Sequence, residues 1–130
     1  CAHLGLTPQS VNKLGGFRVQ GRDEVGAEAI LADAKLLADA GADLLVLECV
    51  PAALAARITR DIAIPVIGIG AGRDTDAQVL VINDILGLTE QPPKFSKNFL
   101  LEANDIPGAM QKYVADVKSG LFPGDDNIFF

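Results

Sequence analysis

The hydrophobic pattern of the chain changes its period from one segment to the next. Residues 43–48 and 65–70 are near-continuous apolar runs of strand length, which is typical of parallel strands covered on both faces. Apolar residues at steps of three and four predict a helix over residues 23–41 and another that begins at Pro51. Asp23 suits the first turn of the earlier helix, and Gly41 suits its C-cap. Strands and helices that alternate with short links predict parallel βα units.

Further elements are expected on either side of these units. Residues 1–6 indicate the end of a strand, and residues 80–82 indicate a third strand after the two apolar runs. Beyond a break at residues 91–93, residues 95–100 suggest a short amphipathic helix. A longer helix follows, with Asp105 as its N-cap and Gly120 at its end. The apolar tail at residues 128–130 is expected to dock on a neighbouring subunit unless it folds back.

These elements predict an α/β fold in one partial domain over residues 1–130. Residues 1–90 would form the βα units, and residues 91–130 the C-terminal helices and tail. Right-handed crossovers leave two architectures open, a doubly wound sheet and part of a barrel. The chain opens without an initiator Met, on a run that reads as the middle of an element, so we expect a fragment.

Composition and charge restrict the partners. Hydrophobic residues make up 49% and charged residues 22%, as in globular chains. The net charge of −6, without any run of Lys or Arg, argues against nucleic acid and against an anionic membrane surface. No apolar run is long enough to span a bilayer. Cys1 and Cys49 lack metal-ligand spacing and a secreted disulfide pattern, which favours a reducing cytoplasm. Small molecules and other protein subunits are the expected partners.

The candidate chemistry lies at the strand ends. Glu48 ends an apolar strand, where burial raises the pKa of a carboxyl toward that of a general base. The alternative is a structural Glu paired with an Arg or a backbone donor. His3, the only histidine, also lies at an apparent strand end. Active sites gather at the C-terminal ends of parallel strands. Two polar groups at such ends strengthen the prediction of a functional role for each of them.

Two glycine-rich segments have open interpretations. Residues 12–22 form a long irregular loop with Gly15, Gly16 and Gly21, either a surface connector or part of a site. Residues 68–72 do not meet the G-x-G-x-x-G spacing of a dinucleotide site. We interpret them as close backbone packing, although a glycine-lined wall beside a ligand would have the same pattern. No metal site can be built from this chain alone.

Several segments closely resemble ketopantoate hydroxymethyltransferase, in order and over essentially the whole chain. They are residues 3–11 (HLGLTPQSV), 15–22 (GGFRVQGR), 45–51 (LVLECVP), 64–72 (IPVIGIGAG), 93–95 (PKF), 97–99 (KNF) and 120–124 (GLFPG). The resemblance implies the C-terminal half of a (βα)8 TIM barrel, about strand five to strand eight, followed by C-terminal helices. It also implies a cytoplasmic enzyme of pantothenate biosynthesis that assembles as a homo-oligomer, a decamer in this family.

The resemblance carries specific roles. The family transfers the one-carbon unit of 5,10-methylenetetrahydrofolate to 3-methyl-2-oxobutanoate, giving 2-dehydropantoate, and uses Mg2+ to hold the keto acid. Glu48 matches the catalytic base that removes the C3 proton, and His3 matches a substrate-binding residue. The Mg2+ ligands and the substrate-binding lysine belong to the N-terminal half, which would complete the barrel as a partner. Residues 1–130 alone are therefore expected to be inactive.

Two other functions would also suit parts of this sequence. One is a different Mg-dependent enolate enzyme of the phosphoenolpyruvate-mutase and isocitrate-lyase type, although the loop at residues 15–22 argues against it. Another is a non-catalytic half-barrel subunit, which the apolar tail and the absent metal ligands would suit.

Overall fold

The computed structural model describes residues 1–130 and contains four parallel strands in one sheet. The strands and helices are β1 (Ala2–Gly5), α1 (Glu24–Asp39), β2 (Leu45–Glu48), α2 (Ala52–Asp61), β3 (Val66–Ile69), β4 (Ala77–Gln78), α3 (Ile82–Ile85) and α4 (Ile106–Ser119). Short 3-10 turns lie at Pro8–Ser10, Phe99–Glu102 and Asp125–Asn127. The strands are adjacent in the order β1-β2-β3-β4, which confirms the predicted parallel α/β class. No helix combines the length and the apolar character that a membrane span requires.

The two faces of the sheet have different environments. Leu45, Leu47 and Val66 are fully buried, and they pack with α1 and α2 in a single apolar cluster. Side chains alternate between faces along a strand, so the intervening residues point to the other side. That second face carries His3, Val46 and Glu48, all of which remain partly exposed. The helices therefore cover one face of the sheet and leave the other open at the level of β1 and β2.

The helix α1 lies where the sequence predicted it, but Asp23 is its N-cap rather than part of its first turn, and Ala40 rather than Gly41 is its C-cap. The carboxylate of Asp23 caps its first turn by accepting a hydrogen bond from the Gly26 amide at 2.8 Å. Gly41 follows the helix with φ +97°, in the left-handed region that glycine adopts without strain. The next helix, α2, begins one residue later than predicted, because Pro51 is its N-cap rather than its first helical residue.

The C-terminal region packs onto the ends of the strands. Asp105 caps α4 through a 2.7 Å hydrogen bond from the Gly108 amide, and Gly120 ends it with φ +74°, as predicted. The rings of Phe99, Tyr113 and Phe122 pack edge to face, with centroids 5.3–5.9 Å apart. A second apolar cluster joins these rings to strand-end residues, namely Leu6, Cys49 and Ile69.

The predicted third strand at residues 80–82 is wrong. The strand that pairs with β3 is the short β4, and Ile82 already belongs to α3. The Val81 carbonyl accepts hydrogen bonds from the amides of Asp84 and Ile85, which fixes a helical turn. Val81 and Ile82 are about half exposed, so no second layer covers them as it would cover a central strand. The sequence could not distinguish the two, because a short apolar run has no periodicity that separates a strand from a helical turn.

One expectation for the C-terminal region is also wrong. The short amphipathic helix at residues 95–100 is only a 3-10 turn that begins at Phe99 and is capped by the Asn98 side chain. In the tail at residues 128–130, Ile128 and Phe129 fold back onto this chain, which is the alternative that the sequence had left open, while Phe130 is 85% exposed. Ile128 is buried, and the Phe129 carbonyl accepts a 2.9 Å hydrogen bond from the Ala52 amide at the start of α2.

Candidate active site

The parallel register brings together the two side chains that the sequence singled out. His3 pairs with Val46, and Gly5 pairs with Glu48. His3 therefore lies level with the residue two positions before Glu48, and the two side chains are on the same face of the sheet. The Nε2 atom of His3 is 3.1 Å from Oε2 of Glu48, a hydrogen-bond distance. The Glu48 side chain is 15% exposed and the His3 side chain 31%. A carboxylate with one ordered partner thus remains accessible at the end of β2.

The surroundings of Glu48 change its affinity for a proton. Burial raises its pKa, while the charge of His3 and the hydrogen bond from its ring act in the opposite direction and lower it. Burial is the larger effect, so the pKa of Glu48 lies above its usual value. A general base benefits from this change, because proton transfer is most efficient when the pKa of the base approaches the working pH.

Glu48 opens onto a cleft of about 610 Å³. Two carboxylates, Glu48 and Asp84, and one guanidinium, Arg18, line it among mainly apolar side chains, which include Leu6, Phe17, Ile69, Val81, Phe95 and Phe129. His3 does not line the cleft, and it reaches the cleft only through Glu48. The predicted substrate contact of His3 therefore stays a prediction, whereas its contact with Glu48 is part of the structure.

The backbone just beyond Glu48 is strained. Cys49 is buried and adopts φ +49°, which L-residues rarely adopt. Its amide donates to the Ile69 carbonyl at 2.9 Å, and its carbonyl accepts from the Gln20 amide at the same distance. Strain of this kind concentrates at functional sites. Burial raises the pKa of the Cys49 thiol to about 12, so it is not a nucleophile at neutral pH.

The long loop at residues 12–22 lines the cleft and is not only a connector. Phe17, Arg18 and Val19 line the cleft, and the Gln20 amide ties the loop to the end of β2 through its hydrogen bond to Cys49. The glycines had indicated an irregular loop. The loop lines the cleft because it returns to the sheet beside the end of β2, where the Gln20 amide bonds to Cys49.

Asp84 was not singled out from the sequence, although it is a buried carboxylate in the same cleft. It lies in α3, is 5% exposed, and accepts a hydrogen bond from the Thr89 hydroxyl. An acidic residue inside the apolar run of residues 79–86 is the available signal. Such a residue must find a partner when it is buried.

The segment at residues 68–72 fits the predicted close packing. A Cβ atom at Gly70 would lie 2.8 Å from Phe95 Cδ1 and 3.3 Å from Phe129 Cε2. A Cβ atom at Gly72 would lie 2.6 Å from the Ala52 side chain. Glycine at position 70 therefore lets two cleft-lining rings approach the end of β3.

The carboxylates of the cleft do not form a complete set of magnesium ligands. No group of three or more His, Cys, Asp or Glu side chains is arranged to hold a metal ion. The two carboxylates of the cleft already have partners, because His3 contacts Glu48 and Thr89 donates to Asp84. Mg2+ requires oxygen ligands in near-octahedral geometry, and these residues do not supply such a set.

The fold and the cleft together define a parallel β/α protein with a carboxylate at the C-terminal edge of its sheet, beside a cleft. A family model described as ketopantoate hydroxymethyltransferase matches residues 1–125. The chain therefore belongs to the ketopantoate hydroxymethyltransferase family, and the resemblance read from the sequence is confirmed.

Individual relatives agree with the family match, and all three carry the name 3-methyl-2-oxobutanoate hydroxymethyltransferase. The protein of Saccharophagus degradans is 76% identical over 129 residues, which cover 99% of this chain and 48% of the relative. The Photorhabdus laumondii protein is 60% identical, over 100% of this chain and 49% of the relative. The Cronobacter sakazakii protein is 59% identical, over 99% and 49%. The chain thus spans about half the length of these curated relatives.

Proposed function

We propose that this chain supplies the general base of a hydroxymethyl transfer. The reaction would move the one-carbon unit of 5,10-methylenetetrahydrofolate to 3-methyl-2-oxobutanoate and give 2-dehydropantoate, in pantothenate biosynthesis. The observation that carries the proposal is Glu48, a largely buried carboxylate that opens onto the cleft beside His3. The names of the relatives support the acceptor and the group transferred.

Glu48 would act on the C3 atom of the keto acid. Its carboxylate takes the C3 proton, and the electron pair of the broken C–H bond moves into the C2–C3 bond, which gives an enolate. One water hydrolyses the two C–N bonds that hold the one-carbon unit of the donor, which releases tetrahydrofolate and leaves that unit as formaldehyde. The enolate carbon then forms the new C–C bond to the formaldehyde carbon, the electron pair of its C=O π bond moves onto the oxygen, and this oxygen takes a proton to become the new hydroxyl group. The raised pKa of Glu48 favours the proton transfer, and the hydrogen bond to His3 fixes the orientation of the carboxylate.

We further propose that the chain is the C-terminal half of a (βα)8 barrel. A doubly wound sheet reverses its strand order and places helices on both faces. Here the strands follow their sequence order, and α1 and α2 pack on the same face. The open face with His3 and Glu48 would then be the interior of the barrel, and the unpaired edges of β1 and β4 would meet the N-terminal half.

The remaining parts of the proposal come from the family. Mg2+ would hold the keto acid through ligands in the N-terminal half, since the residues described here do not form its site. The complete protein would be a cytoplasmic homo-oligomer, and the decamer is the expected form. The unpaired cysteines, Cys1 and Cys49, suit a reducing compartment.

The test is Glu48→Gln in the full-length protein, with product formation measured alongside thermal unfolding. Glu90→Gln is the matched control, because Glu90 is an exposed Glu outside the cleft. We expect Glu48→Gln to lower kcat by roughly 10²–10⁴-fold while the protein stays folded, and Glu90→Gln to match the wild type. Turnover at the wild-type rate in Glu48→Gln would refute the proposal.

A further inference from the structure

The C-terminal residues Asn127–Phe129, here called the strap, lie across the end of β3 and are held by the segment around Lys94. The Asn127 side-chain amide donates to the carbonyls of Ser96 at 3.0 Å and Lys94 at 3.2 Å. In return, the Lys94 ammonium donates to the Ile128 carbonyl at 2.8 Å. Ile128 is buried at 7% exposure. These reciprocal contacts give the strap one defined position on the chain.

The strap places the ring of Phe129 in the wall of the cleft. The Ala52 amide holds the Phe129 carbonyl at 2.9 Å, and the Lys94 ammonium lies 5.5 Å from the centroid of the Phe129 ring. The ring packs close to Gly70, beside the ring of Phe95. Both rings line the cleft. The next residue, Phe130, is 85% exposed and does not line it.

This wall lies beside the carboxylate of Glu48. Glu48 pairs in register with Ile69, the residue before Gly70, and Ile69 also lines the cleft. The Val50 amide donates to the Gly70 carbonyl at 3.2 Å, which ties the two strand ends together. The apolar surface of Ile69, Phe95 and Phe129 therefore lies at the end of β3, the strand next to the one that carries the proposed base.

We propose that Phe129, presented by the strap, determines which 2-oxo acids fit beside Glu48. This inference rests on the proposed function. In 3-methyl-2-oxobutanoate the C3 atom carries both the proton that Glu48 would remove and the two methyl groups. The methyl groups diverge from this proton on the same carbon, so a keto acid bound with its proton at Glu48 places them against the neighbouring surface of the cleft, and an aromatic wall fits a branched alkyl group. The strap also gives a role to the PKF segment: Lys94 anchors the strap, and Phe95 shares the wall.

Phe129→Ala in the full-length protein tests the inference, with Phe130→Ala as the matched control. The two acceptors are 3-methyl-2-oxobutanoate and 3-methyl-2-oxopentanoate, which is one methylene longer and keeps a single C3 proton. We expect Phe129→Ala to raise the ratio of kcat/KM for the longer acid over the shorter by roughly tenfold, the effect of about one methylene in an apolar pocket. The KM for the folate donor should not change, and Phe130→Ala should keep the wild-type ratio.

Lys94→Met adds a test of positioning. It removes the bond to the Ile128 carbonyl but leaves the Phe129 ring in the chain, so the ratio should move in the same direction by a smaller factor. Lys94→Arg, which can still donate to this carbonyl, should restore the wild-type ratio. Thermal unfolding accompanies each assay, and Phe129→Leu replaces Phe129→Ala if the latter does not fold.

The outcomes separate this inference from the function on which it rests. An active wild type whose acceptor ratio is unchanged in folded Phe129→Ala or Phe129→Leu overturns the inference alone. A change confined to the KM of the folate donor also overturns it, because the wall would then contact the other substrate. A wild type that turns over neither keto acid overturns the proposed function, and the inference with it.

Discussion

A single methyl group added at Gly70 should disturb both the stability of the protein and its cleft. Gly70 has φ +61°, in the region that favours glycine, and the space beside its Cα is filled. An ideal Cβ atom would lie 2.8 and 3.0 Å from Phe95 Cδ1 and Cγ, and 3.3 Å from Phe129 Cε2. Phe95 is only 9% exposed, so its ring cannot move away freely.

The cost of Gly70→Ala has two sources. The left-handed backbone costs roughly 1–2 kcal/mol for an alanine, and overpacking against the rings costs roughly 1–3 kcal/mol more. We therefore expect the free energy of unfolding to fall by roughly 2–5 kcal/mol in total. Because the displaced rings line the cleft, the KM for the keto acid should rise in the same variant.

Gly120→Ala is the matched control for this prediction. Gly120 also has a positive φ, +74°, but no atom lies within 4 Å of its ideal Cβ. It should lose only the backbone contribution and leave the KM unchanged. Denaturant unfolding and steady-state kinetics of the full-length variants give both quantities. Equal losses of stability in Gly70→Ala and Gly120→Ala, with the same KM, would refute the packing argument.

Three further predictions concern charge. His3→Gln removes the group that lowers the pKa of Glu48, so the acid limb of the pH–kcat/KM profile should move to higher pH; an unmoved limb contradicts this. Glu48→Gln should raise the melting temperature at neutral pH by roughly 2–4 °C, because the raised pKa of Glu48 in the folded protein means that the ionised carboxylate opposes folding. The gain should shrink as the pH falls through that pKa, and equal melting temperatures of variant and wild type at all pH values would argue against this reasoning. Asp116 is buried, and the hydrogen bond from Lys112 lowers its pKa, so Asp116→Asn should cost about 1 kcal/mol at neutral pH, allowing for solvent screening of the lysine. This loss should vanish as the pH falls through the folded pKa of Asp116, whereas a loss that persists there points to packing.

The sequence predicted the elements whose local signals and burial agree. Asp23 and Gly41 bracket α1, and Asp105 and Gly120 bracket α4, because capping needs only short polar side chains and a residue tolerant of positive φ. It failed at residues 80–82, where a short apolar run suits a strand and a helical turn equally well. Which one forms depends on what covers it, and this is a tertiary property.

The candidate site also has one part that the sequence predicts and another that depends on tertiary contacts. A carboxylate at the end of an apolar strand is visible in the sequence, so Glu48 could be found from its position. The contact with His3 depends on a register in which Gly5 lies opposite Glu48. The cleft depends on contacts between distant segments, since residues 17–19 and Phe129 come from opposite ends of the chain. No local pattern contains such contacts, and the sequence therefore left open whether the apolar tail folds back or docks on a neighbouring subunit.

The most direct test of Glu48 as a base is solvent exchange at C3 of 3-methyl-2-oxobutanoate. The full-length protein is incubated with the keto acid in deuterium oxide without the folate donor, and loss of the C3 proton signal is followed by NMR. We predict that the wild type catalyses the exchange, and that Glu48→Gln slows it by roughly 10²–10⁴-fold while still binding the keto acid. Exchange at the wild-type rate in folded Glu48→Gln would contradict the account.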